Sequence, residues 1–207
     1  MEEGAAAVDM SFKLSGLDEG GMAAVAQSIA ANGALTTLDL SCNGIGPAGA
    51  TALAEAFRDH PTLETIDLSA NNLGDAGATA LGDALAANAT LRCLDLHACN
   101  IRDAGAAALA SLLVARNGAN GPGGNRLRSL NLRANYIGDD GALRLAEAVN
   151  GLLVEQATLR ELDLQANDFG VVGQHALVEA LQAKKVAAAS APSANGNLLM
   201  ETVCVCQ

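Results

Sequence analysis

The sequence predicts an α/β solenoid, in which short parallel strands form one layer and helices form the other. The first observation is an alternation of apolar residues at Leu63, Ile66 and Leu68, followed by Asn71 and Leu73. Apolar residues two positions apart are typical of a strand with one buried face. The second observation is that this pattern returns along the chain. The third is a Gly- and Ala-rich stretch of helical character after each copy.

Five full copies of the pattern follow one another. They begin at Leu35, Leu63, Leu91, Leu127 and Leu159, in steps of 28, 28, 36 and 32 residues. A lone strand of this size cannot hide its apolar side, so the copies must stack on one another. Stacking places one apolar residue of each copy in a single buried column: Leu38, Ile66, Leu94, Leu130 and Leu162.

The full pattern, carried for example by Leu35, Leu38, Leu40, Asn43 and Ile45, resembles that of the leucine-rich repeat family. Its period and its helix resemble the ribonuclease-inhibitor subclass, which also includes the Ran GTPase-activating proteins and the NOD-like receptors. The resemblance covers roughly residues 7–181 and implies a right-handed horseshoe arc of about six coils, with strands on the concave face and helices on the convex face.

The resemblance also implies that the motif asparagine turns inward at the end of its strand and bonds the backbone of neighbouring coils. Four asparagines and one cysteine hold that place: Asn43, Asn71, Cys99, Asn135 and Asn167. The family tolerates cysteine at this position, so Cys99 is interpreted as structural. At the helix starts, Pro47 suits a first helical position, and Asp75, Asp103 and Asp139 suit positions that accept free backbone N–H groups.

The predicted organisation is one repeat domain over residues 1–185. Its N-terminal cap, residues 7–33, holds a degenerate copy in which Met10, Phe12, Ser15 and Leu17 fit 28 positions before the first full copy. Two interruptions lengthen the later steps. The Gly- and Asn-rich segment 116–126 is predicted to be a mobile loop, and segment 152–154 to extend a helix by one turn.

The C-terminal part is predicted to be an Ala- and Ser-rich linker over residues 186–197 and a terminal segment over residues 198–207, for which two interpretations stand. Met200, Val203 and Val205 repeat the spacing of the earlier strands, which favours a capping strand. Alternatively, the last four residues resemble a prenylation signal on Cys204, and a single prenyl chain would anchor the protein only weakly to a membrane.

Bulk composition narrows the function classes. A net charge of -11 and only four aromatic residues in 207 argue against nucleic acid as a partner. No apolar run is long enough to cross a membrane. The acidic start does not resemble a secretory signal, and five cysteines favour free thiols in a reducing compartment. The predicted location is the cytoplasm, with a cilium or the cytoskeleton as the more specific possibility.

The strand residues between the buried ones are the candidate binding surface. Alternation turns three residues of each strand outward, and neighbouring strands lie about 4.8 Å apart, so like residues form rows. Three consecutive aspartates form a carboxylate ladder that can receive lysine or arginine side chains. The other interpretation is that each aspartate is ordinary motif usage, solvated and bonded to adjacent hydroxyls. The predicted partner-binding residues are Asp39, Asp67, Asp95, His97, Asn131, Arg133, Asp163 and Gln165.

Charge is unevenly distributed. Residues 1–91 hold twelve acids and two bases, whereas residues 92–160 hold six acids and eight arginines. Arginine occupies the same repeat position in three copies, which predicts a basic rim patch that faces an acidic partner; ordinary solvation charge is the alternative. The patch comprises Arg92, Arg126, Arg128 and Arg160.

Catalytic and metal-binding interpretations fail on geometry. Cys93, Asp95, His97 and Cys99 look like ligands in the linear sequence. In an extended strand, however, Cys93 and His97 lie about 13 Å apart along the backbone. Ligands of one zinc must converge within about 2.3 Å of it, and a nucleophile and its base must be in hydrogen-bond contact. We therefore expect no metal, no cofactor and no enzymatic activity.

The function that the sequence favours is protein–protein interaction, as a scaffold or adaptor that binds a protein partner on the concave face. Two alternatives remain open. One is a GTPase-activating protein of the Ran type, although those carry a strongly acidic tail and this tail is rich in Ala and Ser. The other is a structural subunit of a large assembly, such as a ciliary or axonemal complex.

Overall fold

The computed structural model describes residues 6–114, 127–151, 159–190 and 202–204. Strands and helices alternate throughout these residues. The strands are β1 (Ala7–Asp9), β2 (Thr37–Asp39), β3 (Thr65–Asp67), β4 (Cys93–Asp95), β5 (Ser129–Asn131), β6 (Glu161–Asp163) and β7 (Thr202–Cys204). The helices are α1 (Glu19–Ala31), α2 (Pro47–Arg58), α3 (Gly74–Leu85), α4 (Asp103–Val114), α5 (Asp139–Gly151) and α6 (Val171–Ser190).

The strands form one parallel sheet in chain order, which confirms the predicted α/β solenoid. The predicted column is also confirmed. Its members are paired in register from β2 to β6, and each is no more than 1% exposed. Leucine, isoleucine and alanine fill the space between the sheet and the helix layer, where small side chains allow the two layers to approach closely.

The register predicted for the N-terminal cap is wrong by two residues. Val8, and not Met10, lies opposite Leu38, so β1 stands 30 positions before β2. The physical reason is a longer turn: nine residues (10–18) separate β1 from α1, whereas seven (40–46) separate β2 from α2. Phe12 is consequently not a core residue. It is 73% exposed, with a φ of 56°.

The C-terminal boundary also differs from the prediction. α6 is 20 residues long and continues to Ser190, five residues into the predicted linker, because its last residues include alanines, the strongest helix formers. β7 pairs with β6 so that Val203 lies opposite Leu162, which is the register that the capping-strand interpretation requires. The loop 116–126, the helix extension at 152–154 and the rest of the linker lie outside the described residues.

The helices approach one another closely where a glycine faces the preceding helix. A Cβ placed on Gly105 would lie 2.7 Å from the Asp75 carboxylate and 3.0 Å from the Ala78 Cβ. Gly141 has the same environment, with Asp103 Oδ1 at 2.7 Å. Glycine is therefore required at these positions by the spacing of the helix layer.

The same aspartates hold the N-termini of the helices, but across coils. Asp75 Oδ1 accepts the backbone N–H groups of Arg102 and Gly105, which belong to the start of α4 and not to its own helix α3. Asp103 does the same for Gly138 and Gly141 at α5, and Asp139 for Gly170 and Gly173 at α6. Pro47 occupies the equivalent place on α2 and has no side-chain acceptor to offer α3. Each helix from α3 to α5 thus caps its successor.

Truncation of the buried column should be costly. We expect Leu94→Ala to lower the free energy of unfolding by about 2–5 kcal/mol, because it removes a buried side chain between two packed neighbours. Urea unfolding followed by circular dichroism measures this. A variant as stable as the wild type would contradict the register of the sheet.

Removal of an inter-helix cap should also destabilise the chain. Asp103→Ala leaves two N–H groups at the start of α5 without their acceptor, at distances of 2.7 and 3.0 Å, and should cost about 0.5–2 kcal/mol. The matched control is Asp83→Ala on the exposed surface of α3. Equal urea midpoints for the two variants would show that the cap contributes nothing.

Candidate protein-binding surface

Inward-turned amides fix the strand ends. Asn71 Nδ2 donates to the Leu40 and Leu68 carbonyls at 3.0 and 2.8 Å, and its Oδ1 accepts the N–H groups of Asn43 and Ile45 at 3.1 and 2.9 Å. The amide therefore bonds its own coil and the preceding one, and it is buried. Asn43, Asn135 and Asn167 make equivalent contacts, as the family resemblance implies.

Cys99 takes the place of an asparagine and fills it only in part. Its Sγ donates to the Leu68 carbonyl at 3.1 Å, and burial raises the pKa of the thiol to about 12, so it stays protonated near neutral pH. The N–H of the fully buried Leu73, which stands where Ile45 stands in the preceding coil, has no acceptor in the described part of the chain. The role of Cys99 is thus structural, at a weaker point of the ladder.

A second ladder lies at the opposite end of the strands, and sequence reasoning missed it. His60 Nε2 donates to the Ile29 carbonyl at 3.2 Å, and its Nδ1 accepts the Leu63 N–H at 3.2 Å. Asn88, 28 positions later, donates to the Phe57 carbonyl and accepts the Leu91 N–H in the same way. The buried imidazole therefore replaces an amide, and His60 has a structural role. The 28-residue offset between His60 and Asn88 is the signal that would have revealed it.

With both ends of the strands fixed, the outward residues form three rows across the sheet. Register pairing brings together all the predicted partner-binding residues of the middle row: Asp39, Asp67, Asp95, Asn131 and Asp163. The remaining predicted residues, His97, Arg133 and Gln165, follow the strands in the next row. We call the surface made by these eight residues the strand face.

Every residue of the middle row closes a turn at the end of its strand. Asp39, Asp67 and Asp95 each accept the backbone N–H two residues later through Oδ1, at 2.8–2.9 Å. Asn131 and Asp163 do the same. One side-chain oxygen per coil, a carboxylate oxygen in four coils and the amide oxygen of Asn131 in the fifth, is therefore occupied structurally. In the described residues, Oδ2 of Asp39 and of Asp67 has no partner and is free to accept a hydrogen bond from another molecule.

Asp95 differs from its neighbours because its second oxygen is also used. Oδ2 accepts from Asn131 Nδ2 at 2.9 Å across the β4–β5 pair. Burial raises the pKa of this carboxyl above its ordinary value, while the hydrogen bonds from the His97 N–H and the Asn131 amide oppose the rise. Ionisation of Asp95 is thus less favourable in the folded chain than in the unfolded one.

The two halves of the strand face differ in how their side chains are connected. From β4 to β6 they bond across strands: Asn131 to Asp95, Ser129 Oγ to Glu161 at 2.9 Å, and Arg133 to Gln165. From β1 to β3 the described side chains make no such cross-strand bonds. The half from β4 to β6 is therefore a cross-linked surface of mixed charge. The half from β1 to β3 is an acidic surface with free acceptors.

The acidic half is longer than the sequence predicted. Asp9 pairs in register with Asp39, and Ser11 accordingly continues the serine row of Ser41 and Ser69. The Asp9 pKa is lowered, chiefly by the Ser11 side-chain and backbone hydrogen bonds. Asp9 was not predicted from the sequence because the cap was placed 28 residues before the first full copy, and that offset puts Ser11, and not Asp9, in line with Asp39. Four aspartates, and not three, stand on consecutive coils.

The predicted rim patch is placed only in part. Arg92, Arg128 and Arg160 directly precede β4, β5 and β6, so they are neighbours. Arg126 lies outside the described residues.

For Cys204, the structure describes the backbone of β7 alone, and its prenylation stays a prediction. Among the described residues, no group of three His, Cys, Asp or Glu side chains can hold a metal ion, and no helix is suited to spanning a membrane.

The titration of Asp95 tests the geometry of the strand face. A raised folded-state pKa means that the stability linked to Asp95 is fully present below the ordinary carboxyl value of 3.8 and is lost as the pH rises through the raised value. Asn131→Ala removes a hydrogen bond to the ionised form, so it should raise the Asp95 pKa further. Carbon-detected NMR titration of the carboxyl groups measures this, with Gln165→Ala as the control. A pKa that falls or stays constant would show that Asn131 does not bind the carboxylate.

Comparisons with known proteins agree with this architecture. Five segments match a family described as Leucine Rich repeat: residues 34–54, 59–82, 87–110, 126–146 and 155–177. No curated protein matches the chain. Among solved structures, it is similar to the tropomodulin C-terminal domain of Caenorhabditis elegans, at 10% identity and a TM-score of 0.51, over 89% of this chain and 87% of that one. It is also similar to leiomodin-1 actin-binding site 2, at 13% identity and a TM-score of 0.49, over 87% and 81%.

At 10% identity, the likeness to the tropomodulin domain concerns the fold alone. The ribonuclease-inhibitor subclass stays a prediction. The family match is broader evidence, because it recurs once per coil, and each matched segment spans a strand and the start of its helix. The matched segments cover more than half of the 207 residues, so the chain belongs to the leucine-rich repeat family.

Proposed function

We propose that this chain is a non-enzymatic protein-binding module that holds its partner on the strand face. The observation that carries the proposal is the row of aspartates on consecutive coils, in which Oδ1 of Asp39 and Asp67 is held in a turn while Oδ2 has no partner among the described residues. A fixed carboxylate with a free oxygen can receive a partner's lysine or arginine with little loss of side-chain entropy.

The two halves of the strand face suit different parts of one partner. Basic side chains of the partner meet the free acceptors of the half from β1 to β3. The half from β4 to β6, where Arg133 lies between His97 and Gln165 in the row that follows the strands, offers donors and acceptors together. Charge complementarity of this kind sets orientation and the rate of association more than it sets affinity.

In the cell, the proposed role of this binding module is that of a scaffold or adaptor in the cytoplasm. Cys42 and Cys93 are half-buried free thiols, and Cys99 is a buried one. Free thiols at such positions suit a reducing compartment. The cytoskeleton, one of the two more specific locations predicted from the sequence, is the place to look first for a partner.

The strand face is tested by removing charge while keeping the turns. In the double variant Asp39→Asn/Asp67→Asn, the amide oxygens retain the turn bonds, as Asn131 does naturally, but two negative charges are lost. Affinity capture from native lysate with quantitative mass spectrometry identifies partners of the wild type, and calorimetry gives the affinity of the recovered partner. We expect the double variant to weaken binding about three- to tenfold, with a reduced dependence on salt.

The matched control is Asp83→Asn/Asp140→Asn, which removes the same charge from the exposed surfaces of α3 and α5. It should retain wild-type affinity. Equal losses in the two double variants, or no loss in the first, would move the interface away from the strand face and contradict the proposal.

A further inference from the structure

A separate row of charged side chains stands at the starts of the strands. The N–H of Arg128 donates to the Arg92 carbonyl at 2.6 Å, and the N–H of Arg160 donates to the Arg128 carbonyl at 2.8 Å. Three arginines on consecutive coils are therefore immediate neighbours, with Cα atoms about 4.8 Å apart. Each of them precedes the first outward residue of its strand, so the row borders the strand face and is not part of it.

Glu64 continues this row on the preceding coil and neutralises its first arginine. The N–H of Arg92 donates to the Glu64 carbonyl at 2.8 Å, and the Glu64 carboxylate lies 3.2 Å from Arg92 Nε. The side chains contact as an ion pair without hydrogen-bond geometry. The Arg92 side chain is 30% exposed, so it is partly withdrawn from solvent as well.

In the part of the chain that the structure describes, no such acid pairs with the other two arginines. Within the described ranges, the guanidinium groups of Arg128 and Arg160 have no ion-pair or hydrogen-bond partner. Arg128 is exposed and Arg160 is half-buried. Like charges on neighbouring strands repel each other, so an unneutralised pair at this spacing is a local cost to the fold that a bound anion would offset.

We propose that Arg128 and Arg160 form a second docking site, which binds an acidic segment of a protein. Two planar guanidinium groups can each take a carboxylate through paired N–H bonds, which lysine cannot do. A nucleic acid is the less suitable occupant, because the chain carries a net charge of -11 and only four aromatic residues. This site goes beyond the proposed function, since it uses other residues and takes a ligand of the opposite charge.

The test uses the full chain and a fluorescein-labelled peptide of eight glutamates, with an eight-glutamine peptide as the uncharged reference. Fluorescence anisotropy at low salt gives the affinity. Arg128→Gln/Arg160→Gln should weaken binding of the glutamate peptide about five- to tenfold. Arg102→Gln/Arg144→Gln removes the same charge from an exposed turn and from the surface of α5, and it should change binding less than about twofold.

Glu64→Gln provides a gain of binding that a purely structural role cannot produce. It releases Arg92 and removes the acid from the row, so the glutamate peptide should bind about two- to threefold more tightly. The proposal would be overturned by equal binding of the glutamate and glutamine peptides, by equal losses in the two arginine double variants, or by no gain with Glu64→Gln. Displacement by inorganic phosphate beyond that by chloride of equal ionic strength would also overturn it, since the site would then bind phosphate.

Discussion

The structure depends on the inward-turned amides at the ends of β2, β3, β5 and β6. Asn71 shows why: one side chain donates to carbonyls of two coils and accepts two N–H groups of the preceding coil. A buried amide with all these bonds made is stabilising, whereas an unpaired one costs a few kcal/mol. Any slip of one strand against the next would break several of these bonds at once. The amide ladder therefore sets the register, and the register decides which residues are buried and which face outward.

The helix layer is held by a different device that acts in the same direction. Asp75, Asp103 and Asp139 each join one helix to the N-terminus of the next, through distances of 2.7–3.0 Å. Glycines at the contact allow the carboxylate to come that close. From α3 to α6, hydrogen bonds thus tie each coil to its neighbour at the helices as well as at the sheet, and the outward side chains of the strand face stand on a rigid support. Rigidity matters for binding, because a preorganised surface loses less entropy when a partner docks.

Much of this could be predicted from the sequence because the repeat is nearly periodic. The step between Leu38 and Ile66 gives the register of β2 and β3, and the inserted residues in later steps leave the motif itself intact. The register of the N-terminal cap was predicted wrongly because its two additional residues lie inside the turn between Asp9 and Glu19, where the repeat motif has no apolar residue to mark the position. The capping of one helix by an aspartate of the preceding helix could not be predicted either, because an aspartate at the start of a helix is ordinarily expected to cap its own helix.

The candidate surfaces were predictable only as rows. Alternation named Asp39, Asp67 and Asp95 together, but it could not show that one oxygen of each closes a turn or that Asn131 binds Asp95. Likewise, repeat position grouped Arg92 with Arg128 and Arg160, whereas the contact with Glu64 that separates Arg92 from them depends on side-chain geometry. The sequence therefore predicts which residues lie next to each other in a row, and the structure shows which of their side-chain groups are already bonded.

Amide hydrogen exchange of the wild-type chain, measured residue by residue by NMR, tests the central role of the amide ladder most directly. The N–H groups of Ile45, Ile101 and Ile137 each donate to a ladder asparagine at 2.9–3.1 Å. For Leu73, the position of that asparagine is held by Cys99. We expect slow exchange at the three isoleucines and clearly faster exchange at Leu73, although Leu73 is fully buried. Equal protection at all four positions would show that burial alone, and not the inward amide, holds the coils in register.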